Sequence, residues 1–238
     1  METETARRVA EFTTRTAEEK PSERLARKID LARRPFALAC SRLFHHTRLR
    51  EVLPPYFMRT HAIIRATVPL MEEGARRAGA LADHDPVAAG VATYLARHAD
   101  EEREHDEWLL EDLELMGLDR ASVLGHLPSV TVASLVGSQY YWTFHYHPIA
   151  QLGYLSFMEG HPPSPELIDH LVSASGYPRE AFRTFSEHGE LDPHHRDELN
   201  DAIDALPLSS DHEALLGLSA MSTAELLARS IEEVIEGA

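Results

Sequence analysis

The stretch FRTFSEHGELDPHHRDELNDAIDAL, residues 182–206, decides how this chain is read. Its helical stripe runs Phe182, Phe185, His188, Asp192, His195, Leu199, Ala202, Leu206. Three ionisable groups stand where the period demands apolar ones. At 100° per residue, His188, Asp192 and His195 lie within about 60° of one another and converge on one small volume. Such groups are costly to bury unpaired, so they call for a positive partner. Pro193 removes the helical hydrogen bond to the Gly189 carbonyl in the same turn, and Gly189 adds backbone freedom. The segment is therefore expected to tighten as an ion loads.

An earlier helix is interrupted in the same way. It opens at Asp85 as N-cap with Pro86 at the first helical position and stops at Gly117. Its stripe is Val87, Val91, Leu95, then Leu109, Leu113, Met116, and the gap is filled by His98, Glu102 and His105. Between the two helices, residues 130–160 are almost wholly apolar until Glu159. A helix apolar all round is expected at the centre, so its one carboxylate should face something positive.

Outside these stretches, Pro54-Pro55, Pro128, His161-Pro162-Pro163, Gly176-Tyr177-Pro178, Pro207 and Gly217 punctuate the chain. The period elsewhere is helical, giving expected helices at 22–50, 56–82, 86–116, 130–160, 178–206 and 222–236. An all-α single domain over residues 1–238 follows, with residues 1–20 a frayed helix or disordered arm. The net charge of −16 argues against nucleic acid. The apolar runs fall far short of a membrane span and Met1 to Arg15 holds no apolar signal core, so a cytoplasmic protein is expected. Cys40 stands alone, which excludes an internal disulfide framework and a cysteine metal site; it reads as a buried apolar residue. Fifteen histidines are the informative excess.

Three helices thus offer Glu102, His105, Glu159, His188, Asp192 and His195. Carboxylate and imidazole ligation without thiolate suits iron or manganese. Six ligands are too many for one catalytic zinc, and two metals fit better.

In this order and spacing the six residues resemble the haem-oxygenase-like di-iron oxidases and oxygenases, over about residues 60–205. The resemblance implies a seven-helix haem-oxygenase-like bundle, two Fe(II)/Fe(III) ions, dioxygen as co-substrate, a homodimer and an external electron donor. It also implies N-oxygenation, desaturation or oxidative carbon–carbon cleavage. Some relatives place the first glutamate where His98 stands here; His98 and Glu101 are therefore alternates to Glu102, which is preferred because it lies on the stripe. A small amino-acid-like or amine substrate in natural-product biosynthesis is favoured. Tyr141, Trp142 and His145, with Tyr140 and Tyr146, are expected near the pocket, and Arg59, Arg65 and Arg179 are candidate carboxylate anchors. A ferritin-like di-iron bundle would use Glu72 or Glu73 with Glu102, His105, Glu159, Asp192 and His195, but it leaves His188 surplus and has Asp in place of Glu. A non-enzymatic iron-storage protein is the other class. Metal-free thiaminase-like or haem-binding branches leave the core acids unexplained.

Overall fold

The computed structural model describes residues 19–238, so the expectation for the N-terminal arm lies almost wholly outside the described residues. Eleven α-helices follow: α1 (Pro21–Ala32), α2 (Arg34–Phe44), α3 (Leu49–Gly79), α4 (Pro86–Glu101), α5 (His105–Leu115), α6 (Arg120–Gly125), α7 (Val130–His145), α8 (Ala150–Met158), α9 (Pro165–Ser175), α10 (Arg183–Ala205) and α11 (Ser210–Glu236). A 3₁₀ turn, Arg179–Phe182, precedes α10, and the described residues contain no strand. The all-α expectation holds, but five of the six anticipated rods are broken or differ in extent.

The 22–50 rod divides around Arg33, just before Arg34-Pro35, because proline belongs in a first turn. In contrast, α3 starts seven residues before the expected 56 and carries Pro54 and Pro55 within it. Pro54 cannot bond the Arg50 carbonyl, and the Tyr177 hydroxyl donates to that oxygen instead, at 3.0 Å. Residues 130–160 break at Tyr146 to Ile149, around Pro148. The last helix is longer than expected, running through Gly217 from a Ser209 cap.

The decisive break falls inside 86–116. Asp85 caps α4 as expected, accepting from the Val87 and Ala88 N–H groups at 2.9 and 3.1 Å. The helix then stops at Glu102, and Glu104 takes φ 71°, a left-handed conformation costly for a residue with a Cβ. This corner turns α5 and sets His105 beside Glu102.

α4 packs along α3, and α11 runs against α1, α2, α7 and α8. One apolar cluster holds Leu70, Val91, Leu95, Leu152, Ile203 and Leu216; a second holds Leu43, Leu53, Phe57, Leu109, Leu113 and Phe182. α3 and α11 contribute to both. An added Cβ at Gly153 would collide with the Leu216 carbonyl, so glycine is what lets α8 approach α11. Among the described residues, no helix is long and apolar enough to cross a membrane.

Candidate metal centre

The ends of α4 and α8, the start of α5 and the middle of α10 meet in the interior. Glu102, the C-cap of α4, accepts from His105 Nδ1 at 3.0 Å with Oε2 and faces His195 Nδ1 at 3.5 Å with Oε1. His188 donates Nδ1–H to the Thr184 carbonyl at 2.8 Å, and its ring meets that of His105 edge-on at 5.0 Å. Donor atoms of Glu102, His105 and His188 all lie within 4.8 Å of one another. The same holds for His98, Glu101 and His195, whose two imidazoles meet at 4.9 Å. Glu159 joins this second cluster through His98 Nε2 at 2.7 Å. Asp192 is buried one turn from His188 and His195.

The geometry thus gathers all six proposed residues, and it draws in both alternates. His98 is wholly buried, with Nδ1 toward Glu101 at 3.3 Å. Glu101 lies three residues after His98 on the unbroken part of α4, about 60° away, and so reaches it within one helix. Trp108 stacks on His105 at 4.1 Å and 25°. Glu72 and Glu73, needed by the ferritin-like alternative, are elsewhere: Glu72 pairs with Arg103 at 2.8 Å and Glu73 with Arg76 at 2.8 Å, both at the surface.

Arg97 pairs with Glu101 at 3.2 Å, but among the described residues no lysine or arginine pairs with Glu102, Glu159 or Asp192. Among the described residues, Glu102 and Glu159 meet only imidazoles, and Glu159 Oε2 and His195 Nδ1 are buried without a hydrogen-bond partner. Burial pushes the Glu159 carboxyl up. Burial, then the charges of Glu159 and Glu102, push Asp192 up to about 8. His98 would be pushed down by burial, but Glu159 and Glu102 carry it up to about 9. Glu102 is held below the ordinary range despite burial, through His105, His188 and His98. Burial lowers His188 and His195, favouring the neutral imidazole that a metal requires. Clustered acids, orphaned donors and neutral imidazoles fit a pair of divalent cations.

Imidazole tautomers sharpen the choice. His188 spends its proton on a carbonyl through Nδ1, which leaves the Nε2 lone pair free for a metal. A third cluster, Asp85, His147 and His212, also has donors within 4.8 Å. There the Ile149 and Ser209 N–H groups donate to Nδ1 of His147 and His212 at 3.1 and 3.3 Å. Each Nε2 then carries the proton, and that of His147 lies 3.2 Å from an Asp85 oxygen. That cluster is a hydrogen-bonded junction of helix ends.

A cavity of about 440 Å³ opens on Glu102, Glu159, His188 and Asp192. Its other walls come from α2, α3, α8 and α11, with Phe36, Cys40, Tyr56, Ile63, Phe157 and Leu227 among them. Tyr141, Trp142 and His145 do not line it, which corrects the sequence expectation. Because the chain breaks after His145, Glu159 is carried by α8, and α7 turns Tyr141, His145 and Tyr146 outward while Thr131, Leu135, Gln139 and Thr143 face in. The cavity aromatics of α2 and α3 carry no sequence signal of their own, since an aromatic on a helix stripe reads as core. Cys40, half-buried, is pushed up to about 12 by burial, in keeping with an inert thiol. Of the three arginines, Arg59 alone reaches the wall, bound to Glu233 at 2.7 Å and the Ser230 carbonyl at 2.9 Å. Arg179 pairs with Asp169 at the surface, and exposed Arg65 reaches only the Leu124 carbonyl at 3.5 Å.

Comparison with known proteins agrees with this architecture. The family described as iron-containing redox enzyme matches residues 97–226, more than half of the chain. A domain of unknown function with a heme oxygenase-like fold from Shewanella denitrificans is 20% identical, with a TM-score of 0.66 over 87% of this chain and 91% of that one. A TenA homologue from Pseudomonas syringae pv. tomato is 11% identical, with a TM-score of 0.69 over 90% and 92%. A CADD-like protein of unknown function from Nostoc punctiforme is 16% identical, with a TM-score of 0.58 over 99% and 96%. No curated protein matches the chain. The fold is therefore haem-oxygenase-like. The chain belongs to the iron-containing redox enzyme family.

Proposed function

We propose that this protein is a dioxygen-dependent non-haem oxidoreductase that holds two iron ions and oxidises a small organic molecule in the adjoining cavity. The carrying observation is the pair of adjacent clusters, each with two imidazoles and a carboxylate within 4.8 Å, beside a cavity of about 440 Å³. His105 and His188 with Glu102 would hold one ion. His98 and His195 with Glu101 or Glu159 would hold the other, and Asp192 lines the cavity beside them. Iron bound there supplies the electron-transfer and oxygen chemistry that side chains lack.

The chain's own groups set the conditions. Glu102 lies between the clusters with one oxygen toward each, and the buried acids offset the charge of the ions. The Thr184 carbonyl fixes the His188 tautomer. Apolar walls keep water from the reacting centre. An amine presented to the cluster meets Glu159 and Asp192, whereas a carboxylate finds on the wall two arginines already paired, Arg59 with Glu233 and Arg33 with Asp30. The wall therefore favours an amine with an apolar body over a free amino acid. A dimer and an external electron donor belong to the same proposal.

Oxygen uptake by anaerobically Fe(II)-loaded protein, with apolar amines, amino acids and fatty acids supplied in turn, tests it. Two irons per chain and uptake that one class accelerates are expected. Iron oxidation indifferent to every organic addition would favour storage, and no iron retention would end the proposal.

A further inference from the structure

α10 starts without a cap of its own. Phe182 occupies the N-cap position and offers no side-chain acceptor, leaving first-turn N–H groups unsatisfied. Asp112, two turns beyond His105 on α5, supplies the acceptors from a different helix. Its Oδ1 accepts the Arg183 N–H at 3.2 Å and its Oδ2 the Thr184 N–H at 3.0 Å. The side chain is 1% exposed. Burial pushes its carboxyl up to about 6, against the pull of those N–H groups. A buried carboxylate is a costly cap when a neutral Asn or Ser performs the same task at a surface.

Its placement suggests what the cost secures. α5 carries His105 and Asp112 seven residues apart, a rise of about 10.5 Å. α10 carries Thr184 and His188 one turn apart. Asp112 grips the Thr184 N–H, and the Thr184 carbonyl in turn accepts Nδ1–H of His188 at 2.8 Å. One carboxylate thus fixes the axial register of α10 against α5, and with it the meeting of the His105 and His188 rings. Trp108, which stacks on His105, lies on the same turn of α5 and carries the Arg183 guanidinium over its face at 5.1 Å.

We infer that Asp112 is a positioning residue for the metal centre: by capping α10 from α5 it holds the His188 Nε2 lone pair where the Glu102/His105/His188 cluster needs it. This rests on the reading of that cluster as a metal site. Anaerobic titration of the full-length protein with Co(II), followed by visible absorption, tests it. Asp112→Ala should weaken Co(II) binding about 10–100-fold and change the band shape at saturation. Asp112→Asn retains one acceptor and should lose about three- to tenfold. Asp119→Ala removes a comparable cap, on the Ser122 N–H at 2.9 Å in α6, and should leave both affinity and spectrum unchanged. Parental affinity in Asp112→Ala, or a loss no larger than in Asp119→Ala, would overturn the inference. If Asp112→Ala does not fold, parental affinity in Asp112→Asn does so. His188→Ala separates the two levels. Unchanged Co(II) binding there defeats the metal reading, while a lost Co(II) there with an unaffected Asp112 series defeats only the positioning role.

Discussion

Replacing Asp192 by Asn should stabilise the metal-free protein and blunt its response to metal. Asp192 is 5% exposed, and burial with the charges of Glu159 and Glu102 pushes its carboxyl up to about 8. The unfolded chain returns it to the ordinary ~3.9. Between those values the folded state binds the extra proton, so its stability falls as pH rises and levels off above the folded value. At pH 7 the penalty covers about three pH units, or about 4 kcal/mol at 1.36 kcal/mol per unit. Glu159 and Glu102 remain in the variant, so about 2–4 kcal/mol is recovered. At roughly 2–4 °C per kcal/mol for a chain of this size, metal-free Asp192→Asn should melt about 4–16 °C above the parent at pH 7. The advantage should grow from pH 5 to pH 8. With Fe(II) bound the order of benefit reverses, because the carboxylate is then compensated and the amide is the poorer donor. Calorimetry on chelator-treated and anaerobically Fe(II)-loaded samples reads both effects. A metal-free variant melting at or below the parent, or one gaining as much from Fe(II), would refute the reasoning.

Three further outcomes are expected. Fe(II) or Co(II) should quench Trp108 fluorescence, since its indole stacks on His105 at 4.1 Å; Trp108→Phe should abolish most of the quenching and Trp142→Phe little of it. Gly153→Ala should cost about 1–3 kcal/mol in denaturant melts, because the new methyl group meets the rigid Leu216 carbonyl. Glu104→Gly should relieve the left-handed strain at φ 71° and leave stability equal or raised by up to about 1 kcal/mol, whereas Glu104→Val should lower it.

The sequence by itself determined that the chain is helical and where the acid and imidazole groups interrupt the apolar stripes; that the interruptions share one site was implied by the family resemblance. The first two are local matters: a 3.6-residue period and the cost of burying charge act within a single helix. The stripe of α10 brought His188, Asp192 and His195 forward unaided, and Glu159 was found as a lone carboxylate at the end of an apolar run. Tertiary structure decided how the ligands divide and what they face. The corner at Glu104 seats His105 against Glu102, and the packing of α10 brings His195 to His98; no period through residues 86–116 reveals a break whose strain is repaid by packing elsewhere. The turn at Pro148 moved the cavity from α7 to α2, α3 and α11, because the direction of a chain after a break is set by the surface it packs on. Asp112 was silent for the same reason: in sequence it is one more acid on a helix, and its partners lie 71 and 72 residues away.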